Sequence, residues 1–158
     1  MPFIEALSET PLAYDNDVFT LLRNKNKSIQ ERVSIHFTNT KQFPALPAIT
    51  VFEAFQGLEQ NRKKITTEEY QFRKGRINEL ITTHRILDFD EKAAQIAAHV
   101  CSELGKSKCN ELWYDILIVA TVLASRFGLA TGNKRHMELI AEHLPKENNL
   151  LQLAIWKP

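Results

Sequence analysis

Asp15-Asn16-Asp17 sets two carboxylates where an apolar run, Pro11-Leu-Ala-Tyr14, gives way to an amphipathic start, Val18-Phe-Thr-Leu-Leu22. A strand end holds its last side chain rigidly, and the N-terminus of a following helix favours nearby negative charge. Paired acids at such a junction suit a hard cation or phosphate chemistry. An Asp acting only as helix N-cap would account for one of them. Two further acids stand alone in apolar surroundings. Asp115 is the only charged residue between Glu111 and Arg126, flanked by Trp113, Ile116, Leu117, Ile118 and Val119. Its charge is costly there unless a cation or hydrogen-bond donors meet it, or unless it faces a helix dipole in a first turn. Glu53 is the only charge in Ala48-Ile-Thr-Val-Phe-Glu-Ala-Phe55, although Thr50 and Glu53 also fit a T-x-x-E capping box.

Gathered in one pocket, these acids would repel one another, and a divalent ion would relieve that repulsion. Mg²⁺ or Mn²⁺ suits all-oxygen ligands that leave several waters in place. Such an ion activates water and offsets the charge that develops on a phosphodiester during in-line displacement.

The elements that must position these acids alternate along the chain. The pattern predicts a strand over Leu12–Asp15, helices over Val18–Arg23 and Ile29–Phe37, and a short strand at Ala48–Thr50. Helices follow over Val51–Gln60 and Thr66–Arg85, then a strand at Ile86–Phe89. Asp90 should cap Glu91–Leu104, which Gly105 stops. Leu112–Phe127 is apolar almost all round and reads as a buried helix ended by Gly128. A strand at Leu129–Thr131, a helix over Asn133–His143 and a strand over Leu150–Trp156 complete the order. Strands alternating with helices favour an α/β fold, a three-layer sandwich around a mostly parallel sheet. Helix starts that follow parallel strands gather at one sheet edge, where ligands bind.

A chain of 158 residues is long enough for one domain with a real core. Its 44% apolar and 25% charged residues are ordinary for a globular protein, and a net charge of +1 does not by itself point to a polyanion. Cys101 and Cys109 lie eight apart without a C-x-x-C or a His-Cys cluster around them, so two reduced thiols are expected and a structural zinc is not. Met1–Thr10 has no basic region and no long apolar stretch, unlike a signal peptide. The longest apolar run, Ile116–Ala120, is too short to span a membrane, so a cytoplasmic protein is expected.

The order of motifs resembles a PIN domain, specifically the VapC-like toxins of type II toxin–antitoxin systems. Tyr14-Asp-Asn-Asp17 resembles the D-T-N or D-x-S strand end that opens these proteins. Pro47-Ala-Ile-Thr-Val-Phe-Glu-Ala-Phe-Gln-Gly57 resembles the S-x-x-T-x-x-E-L-x-x-G motif, and Asp115-Ile-Leu-Ile-Val-Ala-Thr-Val-Leu-Ala124 the D-x-x-I-A-A-x-A motif. Thr131-Gly-Asn-Lys-Arg-His-Met137 resembles the fourth, T-x-N-x-x-D/H-F, so the likeness runs from Leu12 to Trp156. It implies a metal-dependent endoribonuclease with Asp15, Glu53 and Asp115 as catalytic acids and metal ligands, served by Mg²⁺ or Mn²⁺. Asp17, Thr131, Asn133 and His136 would be accessory polar residues. It also implies an RNA substrate, a homodimer, and inhibition by a cognate VapB-like antitoxin whose peptide segment fills the groove. The sequence departs from the pattern at His136, where an Asp is frequent, and in a lead-in of ten residues before the first strand. Asp17 would then supply the charge missing from the fourth motif. A PIN domain with weakened catalysis that works as a nucleic-acid or antitoxin binding protein is the alternative.

Between Asn61 and Arg85, seven Lys or Arg stand against three Glu. Arg73, Lys74 and Arg76 are the candidates for holding a nucleic-acid backbone near the acids, with Tyr70 and Phe72 able to stack on unpaired bases or pack on the core. Arg23, Lys25 and Lys27 read as a solvated loop, and Trp113 and Trp156 as core or dimer contacts. Asp15, Asp17 and Thr20 also match the D-x-D-x-x-T start of a haloacid-dehalogenase-type phosphatase, but no matching Asp-Asp pair follows.

Overall fold

A computed structural model describes residues 3–147 and 150–158. Four strands form one parallel sheet: β1 (Phe3–Glu5), β2 (Leu12–Tyr14), β5 (Gly128–Thr131) and β6 (Leu151–Ile155), in the order β1-β6-β5-β2. Leu12, Ala13 and Tyr14 stand opposite Gly128, Leu129 and Ala130, and Leu129–Thr131 stand opposite Leu153–Ile155. A second parallel pair, β3 (Leu46–Pro47) and β4 (Ile86–Leu87), continues outward from β2 through a bridge between Ala13 and Ala45. With every strand parallel, the carboxyl ends all fall on one edge.

Helices cover both faces. On one side lie α1 (Asn16–Arg23), α2 (Lys27–Thr40), α3 (Ala48–Gln60) and α4 (Thr67–Thr83), with a 3₁₀ turn at Arg62–Lys64. On the other lie α5 (Glu91–Leu104), α6 (Lys106–Glu111), α7 (Trp113–Ala124) and α8 (Lys134–Ala141). Strand alternation divides the core accordingly. Leu12, Tyr14 and Ala130 join Val18, Phe19, Ile29 and Ile77 on the first face. Ala13, Leu129, Leu151 and Leu153 join Ile96, Ile116, Val119 and Met137 on the second. Burying each large apolar side chain contributes about 1.5–3 kcal/mol. Seven of the twelve residues of α7 are buried, which explains its nearly uninterrupted apolar composition.

The buried imidazole of His36 joins α2 to the sheet. Its Nε2 accepts the amide of Leu12 at 3.1 Å, and its Nδ1 lies 3.0 Å from the carbonyl of Gln42. This arrangement requires the neutral ring protonated on Nδ1.

The three-layer α/β fold agrees with the sequence, but several details differ. Ala48 starts α3, and the short strand lies just before it at Leu46–Pro47. Thr50 does not cap that helix. Its hydroxyl donates 2.9 Å to the carbonyl of Tyr14, tying α3 to β2, so the T-x-x-E box is absent. Helix α7 ends through Arg126 in a left-handed conformation (φ 62°). Gly128 instead lies within β5, where a Cβ would stand 2.9 Å from the Leu12 side chain. The lead-in contains β1, and Met1 and Pro2 lie outside the described residues. Cys101 and Cys109 are paired in a disulfide rather than reduced, because the turn at Gly105 folds α6 back on the end of α5 and brings their Cα atoms to 5.0 Å. Among the described residues no helix is long and apolar enough to cross a membrane.

Candidate metal centre

Asp15 follows β2 directly. Its amide donates to the Ala130 carbonyl at 2.9 Å, extending the β2–β5 ladder, and its carbonyl accepts from Phe19 at 2.9 Å. The residue is therefore both the last ladder position and the N-cap of α1. An ordinary cap carboxylate would reach the amide two or three residues on. Here Oδ1 accepts only from the adjacent Asn16 amide at 2.7 Å, while Oδ2 accepts from the Thr131 hydroxyl at 2.7 Å. Thr131 ends β5, and its hydroxyl oxygen also accepts the Asn133 amide at 3.0 Å.

The other acids arrive from three further elements. Asp17, in the first turn of α1, accepts from Val18 at 2.7 Å and from the Gly132 amide at 2.9 Å. Glu53 lies in the second turn of α3, and its Oε1 is buried with no hydrogen-bond partner. Asp115 lies in the first turn of α7, and its Oδ2 is 3.0 Å from His136 Nδ1. Asn133 caps α8, and its side-chain nitrogen lies 2.8 Å from the same imidazole nitrogen. Thus Asp15, Asp17, Glu53, Asp115, Thr131, Asn133 and His136 share one edge of the sheet.

Electrostatics confirm that the acids sense one another. Asp15 is pushed up to about 7, first by burial and then by the charges of Asp17 and Asp115, against hydrogen bonds from Thr131 and Asn16. Glu53 is raised to about 7 by burial and then by Asp115 and Asp17. Asp115 is raised by burial, with Asp17 adding to the effect and His136 opposing it. Among the described residues, no three Asp, Glu, His or Cys side chains converge closely enough to hold an ion as they stand. The acids sit at charge–charge range instead of forming a closed cage. Their chemistry still fits a hard divalent cation. The acids offer only oxygen donors, among the described residues no Lys or Arg forms an ion pair with them, and the orphaned Glu53 oxygen lacks a donor.

Glu53 stands on the wall between two hollows. One, of about 550 Å³, is bordered by Trp113, Tyr114 and Asp115. The other, of about 480 Å³, lies between α1, α3 and α4 and receives Arg23, Arg73 and Arg76. Lys74 falls outside that lining, with its Nζ 6.0 Å from the Tyr70 ring centroid, because residues 69, 72, 73 and 76 form the cleft face of α4. Tyr70 is a core residue that donates to Glu59, whereas Phe72 is 68% exposed at the cleft. Trp156 is core and Trp113 is 46% exposed. Arg23 is the site residue that the sequence reading misplaced. It closes α1 rather than opening a solvated loop, and its spacing from Asn16 and Thr20 was the available signal.

No family model matches the sequence, and no curated protein matches it. Solved structures do superpose. A chain of VapBC2 from Rickettsia felis bound to a promoter DNA fragment matches with a TM-score of 0.69 at 17% identity, covering 92% of this chain and 98% of that one. DNA-bound VapBC from Salmonella typhimurium gives 0.69 at 18% identity, with coverages of 94% and 99%. VapBC-1 from nontypeable Haemophilus influenzae gives 0.62 at 19%, with 92% and 96%. The parallel order β1-β6-β5-β2 with helices on both faces is thus the PIN fold found in these toxin–antitoxin complexes.

Proposed function

We propose that the chain is a VapC-like toxin, a metal-dependent ribonuclease that cleaves RNA phosphodiesters at the Asp15–Glu53–Asp115 cluster. The observation that supports this reading is four acids from the starts of α1, α3 and α7 at one sheet edge, within charge–charge range, with Asp15 and Glu53 both pushed up to about 7. Mg²⁺ or Mn²⁺ held by Asp15, Glu53 and Asp115 would supply an acidified water and offset the negative charge of the scissile group. The chain's own residues prepare that site. Thr131 fixes the rotamer of Asp15, Gly132 holds Asp17 beside it, and His136 orients Asp115. Asp17 adds negative charge where the fourth motif has His136. Arg73 and Arg76 carry positive charge to the neighbouring cleft, where an RNA backbone would lie.

A VapB-like antitoxin that places a peptide segment in this cleft belongs to the same reading, supported by the structural neighbours being VapBC complexes. So does a homodimer, for which the exposed rings of Phe52 and Trp113 offer apolar contact surface. The test is cleavage of structured RNA with Mg²⁺ or Mn²⁺, run beside Asp15→Asn and Asp115→Asn. Activity should vanish in both variants, and equal cleavage by all three proteins would refute the assignment.

A PIN domain of weakened catalysis that serves as a binding protein is the second reading. It is favoured by His136, which occupies one oxygen of Asp115 at 3.0 Å. Calorimetry separates the two. Divalent binding that disappears in Asp15→Asn supports the nuclease, and its absence in the wild type supports the binding protein.

A further inference from the structure

The cleft between α1, α3 and α4 collects three guanidinium groups, two of them paired with glutamates of their own helix. Arg73 pairs with Glu69 at 2.8 Å and Arg76 with Glu79 at 3.1 Å. Among the described residues no carboxylate pairs with Arg23; its guanidinium donates to the Thr20 hydroxyl at 3.1 Å and lies over the Phe19 ring. The Nε atoms of Arg23 and Arg76 are both buried without an acceptor. A guanidinium that lines a cleft with no carboxylate partner is suited to hold an anion there, since Arg binds phosphate and carboxylate through its N–H donors. The buried side-chain oxygen of Asn16, at the acid end of the same cleft, is also unpartnered.

Position decides which anion. From Asn16 to Arg23, α1 rises by about 10 Å, so a group held by Arg23 is not the group held at the acids. Glu53 stands on the shared wall, so one extended polyanion can run from the acids into the arginines. Phe72 projects from the same face of α4 as Arg73 and Arg76 and is mostly exposed, which suits stacking on an unpaired base.

We infer that Arg23, with Arg73 and Arg76, forms a subsite for a non-scissile phosphate of a single-stranded RNA segment, and that Phe72 stacks on a base of that segment. This inference rests on the ribonuclease reading. It assigns the substrate class, an oligonucleotide with unpaired bases beside the cut, and makes Arg23 its positioning residue.

The experiment is binding of a fluorescein-labelled single-stranded oligoribonucleotide by the full chain in EDTA, followed by anisotropy over a salt series. Arg23→Gln should weaken binding about tenfold and reduce the slope of log affinity against log salt by about one. Arg23→Lys should keep the slope, because the charge remains. Oligonucleotides carrying one neutral methylphosphonate at successive linkages locate the contact. Wild type should lose affinity at one linkage, and Arg23→Gln should be indifferent at that linkage. The scan on wild type alone decides the matter should the variant fail to fold. Unchanged affinity and slope in Arg23→Gln, no linkage dependence in wild type, or no binding in EDTA would each overturn the subsite. Competition by an acidic peptide without any linkage dependence would assign the cleft to a protein partner and also overturn it. Binding as expected, with no metal-dependent cleavage, would count against the nuclease alone.

Discussion

The hydroxyl of Thr131 at the end of β5 donates to Oδ2 of Asp15 at the end of β2 across 2.7 Å, fully enclosed. This bond links two adjacent strand ends through side chains, where the backbone ladder has just run out. Among the described residues it is also the only side-chain donor that holds the Asp15 carboxylate. Thr131→Val keeps the shape and removes the donor. It should cost about 1–3 kcal/mol, because a buried acceptor is left unpaired, and Thr131→Ser should restore most of that. Denaturant midpoints of the three proteins check the ranking.

The raised carboxyls make metal-free stability depend on pH with a definite sign. Asp15 holds its proton up to about 7 in the folded protein, against an ordinary value of 3.8. Its protonated form therefore favours the fold at low pH, and that contribution is lost as pH rises through about 7, an effect of up to about 4 kcal/mol. His36 acts in the opposite direction. Burial lowers its proton affinity, so stability falls as pH drops below its ordinary 6.5. The difference between wild type and Asp15→Asn isolates the first effect. In EDTA the variant should gain on wild type in Tm from about pH 4 to about pH 7 and hold level above that. Adding Mn²⁺ should stabilise wild type most at the upper end and leave Asp15→Asn unmoved. A gap that stays constant with pH would show that Asp15 is not held protonated.

Much of this site was legible because its chemistry conflicts with its surroundings. Asp115 stood out in an apolar helix, and Asp15 at a strand-to-helix junction, since neither position tolerates a charge without reason. The fold followed from alternating strand and helix patterns, and β1 was missed because three residues, Phe3–Glu5, carry too little period to read. Thr50 was misread because a hydroxyl three residues before a Glu fits a local cap. Its actual partner, the Tyr14 carbonyl, lies 36 residues away in sequence. The disulfide and Arg23 were missed for the same reason: both depend on how a turn or a helix end is placed in space. Local spacing shows which residues share a helix face but not what that face meets.

Gly132 offers a way to move one acid without altering any charge. A Cβ at this position would stand 2.6 Å from Asp17 Oδ2, and the Gly132 amide donates to that same oxygen. The obstructing atom is the end of an exposed side chain that can swing aside, so Gly132→Ala should cost little stability. Its Tm should stay within a few degrees of wild type. Divalent binding should weaken several-fold, because Asp17 leaves its place beside Asp15. A parallel measurement on Asp17→Asn should reproduce the weakening. Unaltered calorimetric affinity in both proteins would remove Asp17 from the site.

His136 decides whether the fourth motif supplies a ligand or a brace. Its Nδ1 lies 3.0 Å from Asp115 Oδ2, close enough to steady that carboxylate and also to occupy an oxygen that an ion would use. Replacing it with Asp removes the brace and adds a carboxylate at a place already crowded with negative charge. Without metal, His136→Asp should be less stable than wild type near neutral pH, since the added charge repels Asp115 and its neighbours. With Mn²⁺ or Mg²⁺ the order should reverse. The new oxygen should tighten binding about tenfold, worth about 1.4 kcal/mol. His136→Ala separates the two effects, because it removes the brace and adds no ligand. Its Asp115 loses the donor that opposes burial, so metal binding should become weaker and more dependent on pH than in wild type. Calorimetric titrations of the three proteins at two pH values distinguish the outcomes. Equal affinities throughout would place His136 outside the reach of any bound ion.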